Sequence, residues 1–582
     1  MNGNLLEFHP DVLLQVVGYL NVADAGRLAE TCPRMYYLVH QYRLLKCPEL
    51  VTAATYNPDT KSHRPIPELL KEEAIGRLQT PPNLVLAFGT PQSDVAAHLL
   101  KYTPDDAVVV GSMTGAIQVT TGSGNCEYQS RVALMYLSLP DATVTPFSIE
   151  TSTATQLPFQ QQLTALKQQL LEQQEQEQTS PKAMILCAVG QGAASHCDRF
   201  VSEIQGALPS LQMVGGICHQ GFIKKQKTTT SSSLRSKEQL QAMSIRELSG
   251  LLRTLSTEQQ QQAQRTSLVE KTELVDFLFH HLARPQHTLQ TIQDGIFGVI
   301  LGGAAPVRTM VSRGVESVTS ELPGRVPQST SPYVIQDTRL LRPGDEEYSY
   351  LFGNTTSSTS VHLIQSVLDT RTNTVLSAMA CLNQHIEQGP EFLGVRRPDQ
   401  DNGFELHMIN PNHTLNLGSF YILGDAASDN DTDNNESSFK GAYFDLFNLT
   451  GEACMRDMDA SVDLLHQQTQ GEQILGAVMV SCSGRGPYPM LIPEEMSDAR
   501  RFQAKFQNVP VLGFYAGGEI GPLALAGKEN VFQKGRANIQ GFTAVFCLFI
   551  VPVIEHDALR YREIDDCSEN VSKFCHQKFV KI

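Results

Sequence analysis

The chain has 582 residues, 41% of them hydrophobic and 18% charged, which is the composition of a folded protein of more than one domain rather than a disordered one. Its formal charge is -16, so non-specific attraction to nucleic acid or to an anionic membrane surface is disfavoured. No run is long and apolar enough to read as a membrane-spanning helix, the first residues lack the pattern of a secretory signal, and the twelve cysteines are scattered without a CxxC pair. Together these point to a reducing compartment and to cytoplasmic and/or nuclear residence.

The first ~48 residues predict a compact helical unit. Val12, Leu13, Val16, Val17 and Leu20 fall on one helical stripe. Pro10 suits the first turn, Asn21 can cap a second helix, and Pro33 can open a third that carries Met35, Tyr36, Leu38, Val39 and Tyr42. So small a unit cannot bury that surface alone, and part of it should meet a partner. A Pro-rich polar linker follows, from Tyr56 to Pro82.

Short apolar runs ended by glycine come next: Leu84–Gly89, Ala107–Ser112, Ala183–Gly190, Met213–Ile217 and Gly295–Gly303. Helical or polar stretches separate them, which predicts a mixed α/β layer with buried strands. Val307–Gly314 alternates more like an exposed edge. Two insertions interrupt the layer. The glutamine-rich stretch around residues 160–179 reads as a solvated helix or low-complexity excursion. Residues 224–290 hold two amphipathic helices in a pattern similar to a SAP-type helix–loop–helix; their near-neutral charge makes nucleic acid an unlikely ligand beside a structural or protein-contact role. After a Pro-rich crossing (Pro323–Pro343), a second α/β region runs to about Pro552. Within it, Asp425–Glu436 spaces Asp429, Asp431 and Asp433 like part of a calcium loop, yet it lacks that loop's glycine and closing glutamate and reads as a solvated loop.

Two glycine-rich turns in this second region concentrate the chemistry. The run GAVMVSCSGRGPYP places Cys482 at the end of an apolar strand, followed by Gly484, Arg485 and Gly486. About thirty residues on, Gly518 and Glu519 sit in GGEIG. The glycines would permit positive φ and close approach of the backbone. Arg485 offers a fork to a carboxylate of a ligand, of a bound peptide, or of Glu519 itself, the pairing with Glu519 being the simplest expectation. Cys482 would need a base to act as a nucleophile, and no pattern marks His407, His413 or His466 for that role. Cys187, His196, Cys197, Cys218 and His219 match no familiar zinc spacing, and no phosphate-binding Walker loop is present. No catalytic residue, metal or cofactor is therefore expected.

Pro10, Leu13, Leu14, Val17, Tyr19, Leu20, Leu28 and Cys32 fall at the positions of an F-box, with Met35 where that family often has tryptophan and Ala25 where leucine is common. VVVGSMTGAI and GIFGVILGGAAPVRTMVSRG resemble motifs of FIST-N domains, and GAVMVSCSGRG with VPVLGFYAGGEIGP resembles the paired signature of FIST-C domains. The whole resembles the F-box-only FIST proteins, substrate receptors of SCF-type ubiquitin ligases. The resemblance implies a small three-helix F-box at residues 1–48, a linker at 49–82, a mixed α/β FIST-N domain at 83–322 interrupted by the SAP-like insertion, a FIST-C domain at 323–552, and a tail at 553–582. It implies docking to Skp1, and through it to cullin and RING subunits, by Pro10, Leu13, Leu14, Val17, Leu20, Leu28, Cys32 and Met35. An unidentified protein substrate would be presented for proteasomal degradation. It further implies a ligand or degron pocket at Cys482, Gly484, Arg485, Gly486, Gly518 and Glu519, and the alternative function of a sensing protein for a small, amino-acid-like carboxylate.

Overall fold

The computed structural model describes residues 48–552, apart from internal stretches of which the longer ones are 66–77, 91–97, 121–130, 227–240, 253–270, 276–286, 320–332, 349–360, 410–417 and 424–438. The expected F-box positions, most of the SAP-like insertion and the acidic loop lie outside the described residues. What is described is a sheet-rich, mixed α/β structure with few helices.

Three sheets enclose the main core. The first has six strands in the order 49–54, 132–138, 84–89, 108–113, 220–226, 287–292. The second runs β10 (Ala537–Gln540), β9 (Glu519–Pro522), β4 (Gln212–Cys218), β3 (Pro181–Val189), β5 (Gly295–Gly303), β2 (Ala142–Glu150). The third runs β6 (Val307–Ser312), β11 (Ala544–Pro552), β7 (Glu472–Cys482), β8 (Val511–Ala516), β1 (Ile117–Thr120). A nine-stranded sheet built from residues 316–526 lies beyond them. Antiparallel pairing dominates, and β3 with β4, β7 with β8, and 84–89 with 108–113 are the parallel pairs.

The apolar runs become strands because both of their faces are covered. Phe88, Phe297, Phe514, Val480 and Phe549 meet in the inner core shared by the three sheets. The outer face of the second sheet is covered by α1 (Phe159–Gln174) and α2 (Gly190–Ala207), which bring Leu163, Leu170, Phe200 and Ile204 onto Met184 and Ile300. The glutamine-rich stretch is thus a packed helix: three leucines at helical spacing, Leu163, Leu166 and Leu170, are buried. The outer face of the third sheet is covered by α3 (Gly451–Gln468) and α4 (Ser497–Lys505), through Met458, Val462, Leu465 and Phe502. Thr450 caps α3 by accepting from the Ala453 N–H at 3.0 Å.

Val307–Ser312 forms the edge of its sheet, as its alternation suggests, but it is not exposed: Thr309, Met310, Val311 and Ser312 are all buried. Helix α3 lies against it, and the Ser312 hydroxyl donates to Asp457 at 2.5 Å.

The sheets join strands from distant parts of the chain. Ile117–Thr120 completes a sheet otherwise built from residues 307–552, and β9 and β10 extend a sheet otherwise built from residues 142–303. Three short links join the second and third sheets directly, at residues 304–306, 517–518 and 541–543, and the Gly517–Gly518 turn is the one that leaves β8 and enters β9. There the Gly517 N–H donates to Ile217 O at 3.3 Å and the Ile217 N–H donates to Gly518 O at 3.0 Å. The functional candidates sit around this crossing.

Candidate functional site

Strand β7 ends beside β8, with Cys482 opposite Ala516. One tight turn, Ser483–Arg485, then carries the chain into the cis Gly486–Pro487 bond. Ser483 ties the two strand ends together by donating to Ala516 O at 2.8 Å. The glycines serve close approach rather than a left-handed backbone. Gly486 has φ 168°, which is extended backbone. A Cβ on it would come within 2.8 Å of the Tyr515 hydroxyl, and one on Gly484 within 2.9 Å of the Phe542 ring.

Arg485 does not pair with Glu519. It is 1% exposed and forks onto Asp498 in the first turn of α4: Nε donates to Oδ2 at 2.9 Å and Nη2 to Oδ1 at 2.5 Å. Nη1 donates to the carbonyls of Arg313 (2.6 Å) and Phe542 (3.3 Å). Burial alone would lower its pKa, but the Asp498 carboxylate outweighs that and raises it. The guanidinium has its charge matched and its donors engaged, so it is a structural brace and not an open anion clamp.

Glu519 is fully buried on β9, opposite Gly216 on one side and Gln540 on the other. Its Oε2 accepts from the Thr543 N–H (3.2 Å) and hydroxyl (3.0 Å), while Oε1 has no hydrogen-bond partner. Burial raises its pKa to about 7, against the opposing pull of Thr543, Cys482 and Arg485. The partly exposed Cys482 thiol is its neighbour; burial, then the Glu519 charge, push that thiol's pKa up. A thiol so held stays protonated, and its sulfur accepts from the Gly484 N–H at 3.4 Å.

The residue that sequence reasoning missed is Arg313, just past the end of β6. Its carbonyl accepts from Arg485 and from the Cys454 thiol (3.1 Å), which fixes its backbone. Its side chain is buried and stacked over the Phe392 ring at 5.1 Å. Its hydrogen bond is to Gln540 Oε1 at a long 3.4 Å, and its Nε has no partner. Burial lowers its pKa to about 10, with Glu519 the leading opposing influence. Arg313 and Glu519 therefore feel each other's charge without forming an ion pair. His407 is neutral nearby, its pKa pushed down to about 4 by burial and by Arg313. Only the parallel between Ser312-Arg313-Gly314 and Gly484-Arg485-Gly486 could have pointed to Arg313 from sequence.

The cysteines and histidines weighed for zinc are dispersed. Cys187 and Cys218 are neighbours on β3 and β4, whereas His196 stacks on Phe159 at 4.5 Å and His219 is exposed. Among the described residues no group of three or more His, Cys, Asp or Glu is arranged to hold a metal ion. No helix among them is long and apolar enough to cross a membrane.

Residues 83–242 match the FIST N domain and residues 441–522 match the FIST C domain. The chain carries both FIST domains. The FIST C match spans Cys482, Arg485, Asp498 and Glu519, whereas Arg313 falls between the two matched segments. Curated proteins similar to the chain are two uncharacterized proteins of Mycobacterium bovis and Mycobacterium tuberculosis, each 35% identical over 75 residues. That stretch is 13% of this chain and 16% of each relative, so the likeness is local.

Proposed function

We propose that the chain is a FIST-type sensing protein that binds a small ligand and signals rather than catalyses. FIST domains are generally signalling and sensing domains. The observation that carries this reading is the pair of unpartnered atoms, Arg313 Nε and Glu519 Oε1, buried where the FIST C turns meet. Buried polar groups are nearly always satisfied, and two orphans of opposite charge that share Gln540 as a neighbour, Arg313 by a hydrogen bond and Glu519 by its place opposite on the sheet, call for a guest. The guest would stabilise the fold by mass action, about 2.7 kcal/mol at a hundredfold excess over its Kd. A thermal-shift screen of small carboxylates, amino acids, amines and neutral solutes tests this. Saturable stabilisation by one class supports it, and a flat response across all classes counts against it.

A second reading has a specific observation in its favour: the apolar stripe Leu13, Leu14, Val17 and Leu20 stands in register with an F-box pattern. On it the chain would be a cytoplasmic or nuclear substrate receptor that holds a target lysine near a ubiquitin-charged thioester, a contribution of proximity. The SAP-like segment would be a further protein-contact module. The two readings are compatible, since a bound ligand could govern which target is presented. Co-purification with Skp1, lost in a Leu13→Asp, Leu20→Asp double variant, is the expected result. A wild-type chain that never associates with Skp1 removes the receptor role and leaves the sensor.

A further inference from the structure

We propose that Arg313 and Glu519 together hold one small carboxylate, Arg313 by its charge and Glu519 as a proton donor. The proposal rests on the sensor reading and gives it an anchor, a ligand class and a proton. Glu519 Oε2 already accepts twice from Thr543, so a proton on this carboxyl belongs on Oε1, the oxygen without a partner. Protonated, Oε1 becomes a buried donor in need of an acceptor. Arg313 Nε is a second such donor. Two orphan donors, one of them cationic, suit a carboxylate better than an amine or a neutral solute. The other cation of the cluster does not compete, because Arg485 is matched by Asp498.

The neighbours of Glu519 allow such a proton. From β7 comes the Cys482 thiol, from the following turn Arg485, from the end of β6 Arg313, from β10 Gln540 and from the start of β11 Thr543. Strand β4 contributes Gly216, which has no side chain to titrate. Burial lifts Glu519 into the neutral range, so it is poised to take up a proton as an anion arrives. Bound carboxylate, Arg313 cation and neutral Glu519 then leave the site with no net charge. Cys482 is partly exposed beside Glu519, so the cluster is not sealed from solvent.

The test uses acetate as probe, with chloride at matched ionic strength as control, on the full chain. Acetate should bind wild type saturably, with an affinity that is flat between about pH 5, where the probe is fully ionised, and about pH 7, and falls about tenfold per pH unit above it. Glu519→Gln keeps a donor at this position and should bind acetate without that fall. Arg313→Gln should lose roughly 10- to 100-fold in affinity, and Arg313→Lys should lie between. The proposal is overturned if folded wild type binds no acetate, if Arg313→Gln binds it as wild type does, or if Glu519→Gln keeps the pH dependence. Should Arg313→Gln fail to fold, the pH profile of Glu519→Gln decides alone. If acetate fails while an amine or neutral solute stabilises wild type in the screen, the carboxylate assignment falls and the sensor reading stands.

Discussion

Removing the Arg485 side chain should be among the most damaging single changes in the FIST C domain. Arg485 and Asp498 are 1% and 2% exposed, and their fork comprises hydrogen bonds of 2.9 and 2.5 Å. Breaking a buried pair leaves the remaining charge uncompensated and costs about 3–5 kcal/mol. The carbonyls of Arg313 and Phe542 would also lose a donor each, a loss that overlaps with the first rather than adding fully to it. Arg485→Ala and Asp498→Ala should each cost about 4 kcal/mol, a large share of the ~5–15 kcal/mol that holds a typical protein folded. A paired Arg485→Met, Asp498→Leu replacement removes both charges and should recover all but about 2 kcal/mol of either loss. Urea unfolding followed by far-UV circular dichroism and tyrosine fluorescence suits a chain with 16 tyrosines and no tryptophan. Single losses below about 1 kcal/mol, or single losses that simply add in the paired variant, would refute the brace.

Glu519 predicts a pH dependence of the unliganded fold. Its folded pKa of about 7 lies above the ordinary glutamate value of 4.5, so its contribution is full below about pH 4.5 and is lost as pH rises through 7. The span is on the order of 3 kcal/mol; stability of wild type minus that of Glu519→Gln, measured from pH 5 to 8, should fall, and a flat difference would contradict it. Leu163→Ala and Leu170→Ala on α1 should each cost about 2–5 kcal/mol if the glutamine-rich helix is packed, whereas a solvated helix would lose almost nothing. Gly513→Ala should abolish folding, because its Cβ would lie 1.8 Å from Met479 O between two parallel strands; a soluble, wild-type-like product would refute the close approach.

The strands were legible because both of their faces are buried, which writes them as apolar runs closed by glycine. What the runs could not show is which of them pair: Ile117 sits opposite Phe514, almost four hundred residues away. The turns at Arg485 and Glu519 were legible as a pair, but their partners were not. Asp498 lies in the segment EEMSDARR, whose other charged members, Glu494, Glu495, Arg500 and Arg501, reach solvent, and nothing local marks its carboxylate as buried. Arg313 stayed hidden for a related reason. The alternation of Val307–Gly314 is that of an edge strand, and an edge covered by a helix has the same period as one open to solvent.

The most direct test of the account is a high-resolution structure determined in acetate at a pH below 7. The account predicts a carboxylate between Arg313 Nε and Glu519 Oε1, with Arg485 still forked onto Asp498. Arg313 and Glu519 closed onto each other as an ion pair, with nothing bound between them, would contradict it.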